Sequence, residues 1–167
     1  MAISLTLAAM LFYIWIRFEW QFSLGAVVAL IHDVIITMGI FSLLAYEINL
    51  SIVAAVLTIV GYSMNDTVVI FDRIRENLRK YSKITITEIS DLSTNQTLSR
   101  TLITSVTTLL ALLSIYIFGG AILKGFSFAM IIGVIVGTYS SIFVAAPILN
   151  YTNVSQKTIL KEERENN

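Results

Sequence analysis

The sequence predicts an all-α fold, a polytopic membrane helix bundle with five transmembrane segments. Three observations carry that expectation. The 167 residues are 56% hydrophobic and only 13% charged, which is more apolar surface than the interior of a soluble domain of this length can hold. The apolar residues gather into long runs, each near the ~20 residues that cross a ~30 Å hydrocarbon core. None of the runs alternates apolar and polar residues as a barrel strand does. Backbone groups in lipid must bond within their own segment, so each run is a helix.

The first segment covers about residues 1–16. It lacks a basic start and a small-residue cleavage site, so it reads as a span and not as a signal peptide. The second covers 22–45 and holds "HD", His32 and Asp33, near its middle. The third covers 50–71 and leads into a polar stretch, 72–100. Within that stretch "TITE", Thr85 to Glu88, fits a capping box, with Thr85 at the N-cap and Glu88 three residues on. A cytosolic helix is expected there, continuous with the fourth segment, 101–118. The fifth covers 126–151. Its "GVIVG", Gly133 to Gly137, is a small-residue face for close helix packing, and Pro147 is expected to kink or end the helix. Residues 152–167 form a polar tail. The remaining connections, 17–21, 46–49 and 119–125, are short.

Lys and Arg fix the orientation. One side carries Arg17, Arg73, Arg75, Arg79, Lys80, Lys83, Arg100, Lys157, Lys161 and Arg164, and the other carries Lys124 alone. The positive-inside rule makes the richer side, with the C-terminal tail, cytosolic. Trp15, Trp20, Tyr46 and Tyr151 fall near the expected interfaces, as an aromatic belt requires. The N-terminus is then outside with no signal, so a further span and exterior material are expected before Met1.

Several function classes drop out. Net charge is formally zero, which gives no reason to expect a nucleic-acid partner. There is no cysteine and only one histidine, so neither thiol chemistry nor a histidine-based metal site is expected. No nucleophile–base constellation and no phosphate loop appears, so the chain does not read as an enzyme with covalent chemistry, and no cofactor is expected.

The informative residues are polar ones inside spans. "GYSMNDTVVIFDRIREN", Gly61 to Asn77, places Asn65 and Asp66 in an otherwise apolar run. An aspartate near the bilayer centre costs ~2.5–3.5 kcal/mol on insertion scales. Such residues usually face a bundle interior or water and mark ion or proton paths. Asp66 is five residues before Phe71, about 7–8 Å from the cytosolic boundary at ~1.5 Å per residue. Arg100 opens the fourth segment at the same boundary and shares a helix face with Thr104, Thr107 and Thr108. Burial disfavours a charged carboxylate and a guanidinium favours it. A carboxylate held between the two can take up and release a proton as the arginine moves. Asp66 and Arg100 are therefore the candidate proton relay, with Asn65, Thr104, Thr107, Thr108, His32 and Asp33 as candidate support of a polar path. The alternative is that these groups only join helices. For His32 and Asp33 no partner is evident in the sequence.

Four stretches, "GYSMNDTVVIFDRIRENLRK", "RFEWQFSLGAVVALIHDV", "NQTLSRTLITSVTTLL" and "GVIVGTYSSIFVAAPIL", resemble the SecF side of the SecD/SecF family of protein-export membrane proteins, within the resistance-nodulation-division superfamily. The likeness covers about residues 17–149. It implies spans two to six of a six-span half-transporter, without the family's first span and the exterior domain that follows it. It also implies an auxiliary subunit of the Sec machinery that uses proton motive force to drive polypeptide export across the bacterial cytoplasmic membrane. The partners it implies are a SecD-like subunit, the Sec translocon channel, the exported polypeptide and the lipid bilayer. The family's proton-transport aspartate and arginine correspond to Asp66 and Arg100. A small-molecule exporter subunit of the same superfamily and a non-transporting membrane scaffold are the competing readings.

Overall fold

Four long helical stretches, with no strand among the described residues, make up the fold. The computed structural model describes Leu5, Ala9 and Phe12, residues 19–46, 49–81 and 84–152, and Val154. The helices are α1 (Trp20–Leu43), α2 (Leu50–Lys80), α3 (Ile86–Phe118) and α4 (Gly120–Ser140). A π-helical turn (Ser141–Ala145) and a short α5 (Ala146–Tyr151) continue α4. Counting α4 to α5 as one, four helices are long and apolar enough to cross a membrane. The first expected segment, 1–16, lies outside the described residues apart from Leu5, Ala9 and Phe12, so the structure supports four of the five expected spans.

The helix ends follow local chemistry. Asn49 caps α2, its Oδ1 accepting the Ile52 N–H at 3.1 Å. The capping box forms as expected at α3: the Thr85 hydroxyl accepts the Glu88 N–H, and the Glu88 carboxylate accepts the Thr85 N–H. From that cap α3 runs unbroken into the apolar stretch. Gly120 turns the chain into α4 at φ +75°, a conformation glycine adopts without the penalty a Cβ brings. The expected seven-residue connection 119–125 is thereby reduced to a tight turn, and α4 starts earlier than its apolar run does. Pro147 does not end its helix. It sits in the first turn of α5, directly after the π turn, where its missing N–H is accommodated by the altered hydrogen-bond register.

The aqueous ends of α2 and α3 form a hairpin. α2 continues past Phe71 to Lys80, and Glu76 pairs with both Arg73 and Lys80 at helical spacing. Asn77, buried, donates to Ser93 Oγ at 2.8 Å and to Gln96 Oε1 at 2.9 Å across to α3. Glu19, at the start of α1, is buried and reaches Arg75 of α2 at 2.7 Å.

Two apolar clusters hold the bundle. One joins Phe22 and Leu30 of α1, Ile70, Phe71 and Ile74 of α2, Ile89 of α3 and Leu149 of α5. The other joins Phe41 of α1, Ile52, Ala55 and Ile59 of α2, Leu112 of α3, and Ala129, Met130 and Val134 of α4. α4 packs most extensively against α2 and α3. The expected glycine face makes this possible. A Cβ on Gly133 would lie 2.2 Å from Ile59 Cγ1, and one on Gly137 3.0 Å from Ser63 Cβ.

Candidate functional site: a polar belt between two apolar clusters

On α1, on α3 and on α4 with its continuation, buried polar residues separate the stretch in one apolar cluster from the stretch in the other, and on α2 they are interspersed with Val60 and Met64 of the first cluster. On α1 these are Asp33 and Thr37. On α2 they are Ser63, Asp66 and Thr67. On α3 they run Ser93, Thr97, Thr101 and Ser105, and on α4 Ser140, with Ser141 opening the π turn. The four helices thus bring their polar groups into one layer, where an unpaired donor or acceptor is costly.

Asp66 is 3% exposed, and its Oδ2 is buried without a hydrogen-bond partner among the described residues. Arg100 of α3 is the charged side chain whose field acts on it. No hydrogen bond or ion pair joins the two among the described residues, and Arg100 is exposed. The pair is therefore near enough for electrostatic coupling and is not locked together. The buried hydroxyls Thr37 Oγ1 of α1 and Thr101 Oγ1 of α3 are likewise without partners among the described residues. A buried carboxylate under the influence of an exposed cation on another helix is suited to binding and releasing a proton.

Asp33 has the opposite surroundings. It is fully buried, and its Oδ2 accepts from Ser63 Oγ of α2 and, at 2.8 Å, from Ser140 Oγ of α4. Its Oδ1 lies 3.1 Å from Nδ1 of the half-buried His32. The sequence offered no partner for His32 and Asp33, and the fold supplies two from other helices.

The other expected residues divide. Asn65 is exposed, on the opposite side of α2 from the belt. Thr104 and Thr107 direct their hydroxyls to carbonyls of their own helix, Arg100 and Thr101 for the first, Ile103 and Thr104 for the second. Among the described residues only Thr108 of that face bonds another helix, accepting from Tyr62 Oη at 3.3 Å. The inward face of α3 is instead Thr97, Thr101 and Ser105, and Ser105 bonds Thr138 of α4 at 2.7 Å. Sequence reasoning missed Ser63, Thr67, Thr101, Ser105 and Ser140. The signal was present: Ser93, Thr97, Thr101 and Ser105 recur every fourth residue, the spacing of one helix face. Among the described residues, no three His, Asp or Glu side chains gather as a metal site would need.

The family model for the C-terminal region of the protein export membrane proteins SecD and SecF matches residues 1–155. A protein translocase subunit SecF of Rickettsia bellii is 59% identical over 149 residues, which is 89% of this chain and 49% of that protein. One from Cereibacter sphaeroides is 51% identical over 156 residues, 93% of this chain and 48% of that protein. The chain thus spans about half the length of the curated relatives it matches. Among solved structures, SecDF from Thermus thermophilus, described as a translocon-associated membrane protein, superposes with a TM-score of 0.84 at 44% identity, over 89% of this chain and 21% of that one. SecDF in its super-membrane-facing form gives a TM-score of 0.83 at 42% identity, over 96% of this chain and 21% of that one. With a family match over nearly its whole length, and a helical bundle that superposes on SecDF, this chain belongs to the SecD/SecF family of protein export membrane proteins, on the SecF side.

Proposed function

We propose that the chain is the membrane core of an auxiliary subunit of the Sec machinery, which works with a SecD-like partner and uses proton motive force to drive polypeptide export across the bacterial cytoplasmic membrane. Asp66 is the proton carrier and Arg100 its electrostatic switch. The observation that carries this reading is the buried, unpartnered Oδ2 of Asp66 within reach of the field of Arg100. A group that served only to join helices would bond across to a neighbour, as Ser105 does to Thr138. The relatives' names, protein translocase subunit SecF, support the same reading. The available work is sufficient, since one charge crossing 100 mV yields ~2.3 kcal/mol. The Sec channel and the exported chain are the further partners, and the chain does no covalent chemistry.

The test is Asp66→Asn in the full-length subunit, assembled with its partner in vesicles that carry a proton gradient. The variant keeps size and hydrogen bonding and removes titration. It should lose the gradient-dependent part of export at normal complex levels, and Asp66→Glu should retain some of it. Full gradient-dependent export by Asp66→Asn would make the carboxylate structural. Orientation is tested separately. Single cysteines at Ser82 and Ser155 should resist an impermeant thiol reagent outside intact cells, because the basic residues put the 72–100 segment and the tail in the cytosol. Labelling of either from outside would reverse the topology.

A further inference from the structure

We propose that Asp33 is a second proton-binding carboxyl of the bundle, and that Ser140 relays its protonation to the Gly137 carbonyl at the head of the π-helical turn. This rests on the proton-driven reading above and adds a group to it.

The geometry is specific. Asp33 is fully buried, and no Lys or Arg pairs with it among the described residues. The titratable groups around it are few. On α1 there is His32. On α2 there are Tyr62 and Asp66, which flank Ser63, and on α4 there is Tyr139, beside Ser140. From Gly125 to Tyr151, which includes the π turn and α5, the chain has no Asp, Glu, His, Lys or Arg. Arg100 of α3 acts on Asp66. Asp33 is therefore held at Oδ2 by two hydroxyl donors, with His32, charged only when protonated, at its Oδ1.

Hydroxyl donors allow a switch. As a carboxylate, Asp33 accepts from both Ser63 and Ser140 through Oδ2. Protonated at Oδ2, the oxygen that faces the serines, it must donate at one of those contacts, and the hydroxyl that receives must give its own hydrogen elsewhere. Ser63 has no second acceptor among the described residues, and Ser140 does. The Gly137 carbonyl is 3.2 Å from Ser140 Oγ. One proton added to Oδ2 therefore turns the Ser140 contact around: Asp33 donates to Ser140 Oγ, and Ser140 donates to Gly137 O. That carbonyl already accepts from the Ser141 N–H and from Ser141 Oγ at 2.8 Å. The Ser141 hydroxyl has an alternative in the Thr138 carbonyl at 3.2 Å. A proton gained on α1 thus rearranges hydrogen bonds at the first residue of the π turn in α4. Such turns interrupt helices at functional sites more often than elsewhere.

The experiment is an infrared pH titration of protonated carboxyl bands, in the purified full-length subunit with its partner. Wild type should be compared with Asp33→Asn, Asp66→Asn and Ser140→Ala between about pH 4 and about pH 10. Asp33→Asn should remove a titrating band that Asp66→Asn leaves in place. Ser140→Ala should keep that band and shift its C=O frequency, since it removes a hydroxyl that bonds Oδ2. If Asp33→Asn does not assemble, Ser140→Ala decides alone. An unchanged set of bands in Asp33→Asn, or an unmoved C=O frequency in Ser140→Ala, overturns the proposal. Full gradient-dependent export by Asp66→Asn would instead overturn the export reading and leave the Asp33 titration standing.

Discussion

Asp33 and Asp66 sit on neighbouring helices in the same polar layer, 0% and 3% exposed, yet the protein surrounds them differently. Asp33 is tied to α2 and α4 by two hydroxyls. Asp66 keeps one oxygen with no partner among the described residues, and its cation stands off on α3. Burial alone therefore does not define the part each carboxyl plays. The partners do, because a carboxyl bonded across three helices ties any change at its oxygens to their hydrogen bonds, whereas one left unpaired is tied to no neighbouring helix.

The largest expected effect is a crossed phenotype. Asp33→Ala leaves Ser63 without its acceptor, at about 1–3 kcal/mol for the buried unsatisfied group, and leaves Ser140 only the Gly137 carbonyl. It should lower the detergent melting temperature and the yield of the complex. Asp66→Asn removes an unpaired charge, so the melting temperature should stay level or rise while gradient-dependent export falls to the level without a gradient. Equal losses of stability in both variants would erase the distinction between the two aspartates.

A smaller effect separates a switch from a fixed ion pair. Arg100→Lys keeps the charge and replaces a planar fork with a compact ammonium on a flexible stem. Export should fall between wild type and Asp66→Asn, and further than in Arg79→Lys at the exposed end of α2. Wild-type export in Arg100→Lys would reduce the role of Arg100 to its net charge.

The sequence made one half of this comparison legible and hid the other. Asp66 stood out because a lone acid in an apolar run is costly, and its cation could be found by counting turns. The four helices, the capping box at Thr85 and the glycine face at Gly133 and Gly137 were readable for the same reason, since each is a local pattern. The Asp33 partners are 30 and 107 residues away, and only helix packing brings them together. The threonine face was misjudged by one position: Thr104 and Thr107 share a face with Arg100, but the interior is reached by Thr97, Thr101 and Ser105. Charge drew attention to the outer stripe, although a hydroxyl that points outward can satisfy itself on its own helix.

The glycine face tests whether close packing is what holds Asp33. A methyl group at Gly137 would meet Ser63 Cβ at 3.0 Å and Oγ at 3.2 Å. Gly137→Ala should destabilise by about 1–2 kcal/mol and disturb the carboxyl bands of Asp33 more than those of Asp66. Gly39→Ala has nothing within 4 Å of the new carbon, and should be neutral or slightly stabilising through helix propensity. Identical spectra for the two variants would detach the hydroxyl ligation of Asp33 from the approach of α4.

The smallest effect lies outside the apolar layer, at the start of α3, where a third carboxylate contrasts with both aspartates. Glu88 is solvent-exposed and held below the usual carboxylate range, chiefly by the hydrogen bond from the Thr85 N–H and then by the Thr85 hydroxyl. A carboxylate with a lowered folded-state pKa contributes stability that is present above its unfolded value and lost as pH falls through the folded one. The first turn of α3 should therefore be fully capped at neutral pH and begin to loosen only below about pH 4.5. Thr85→Ala should cost about 1 kcal/mol at neutral pH, and Glu88→Gln should flatten the acid dependence while leaving much of the cap, since an amide oxygen still accepts the N–H. Amide hydrogen exchange over residues 86–90 reads both changes. Protection that stays constant from neutral pH to well below the carboxylate range would assign the helix start to the Asn77–Ser93 and Asn77–Gln96 contacts. In that case the hairpin, and not the capping box, would fix where α3 begins and the height at which Arg100 enters the bundle.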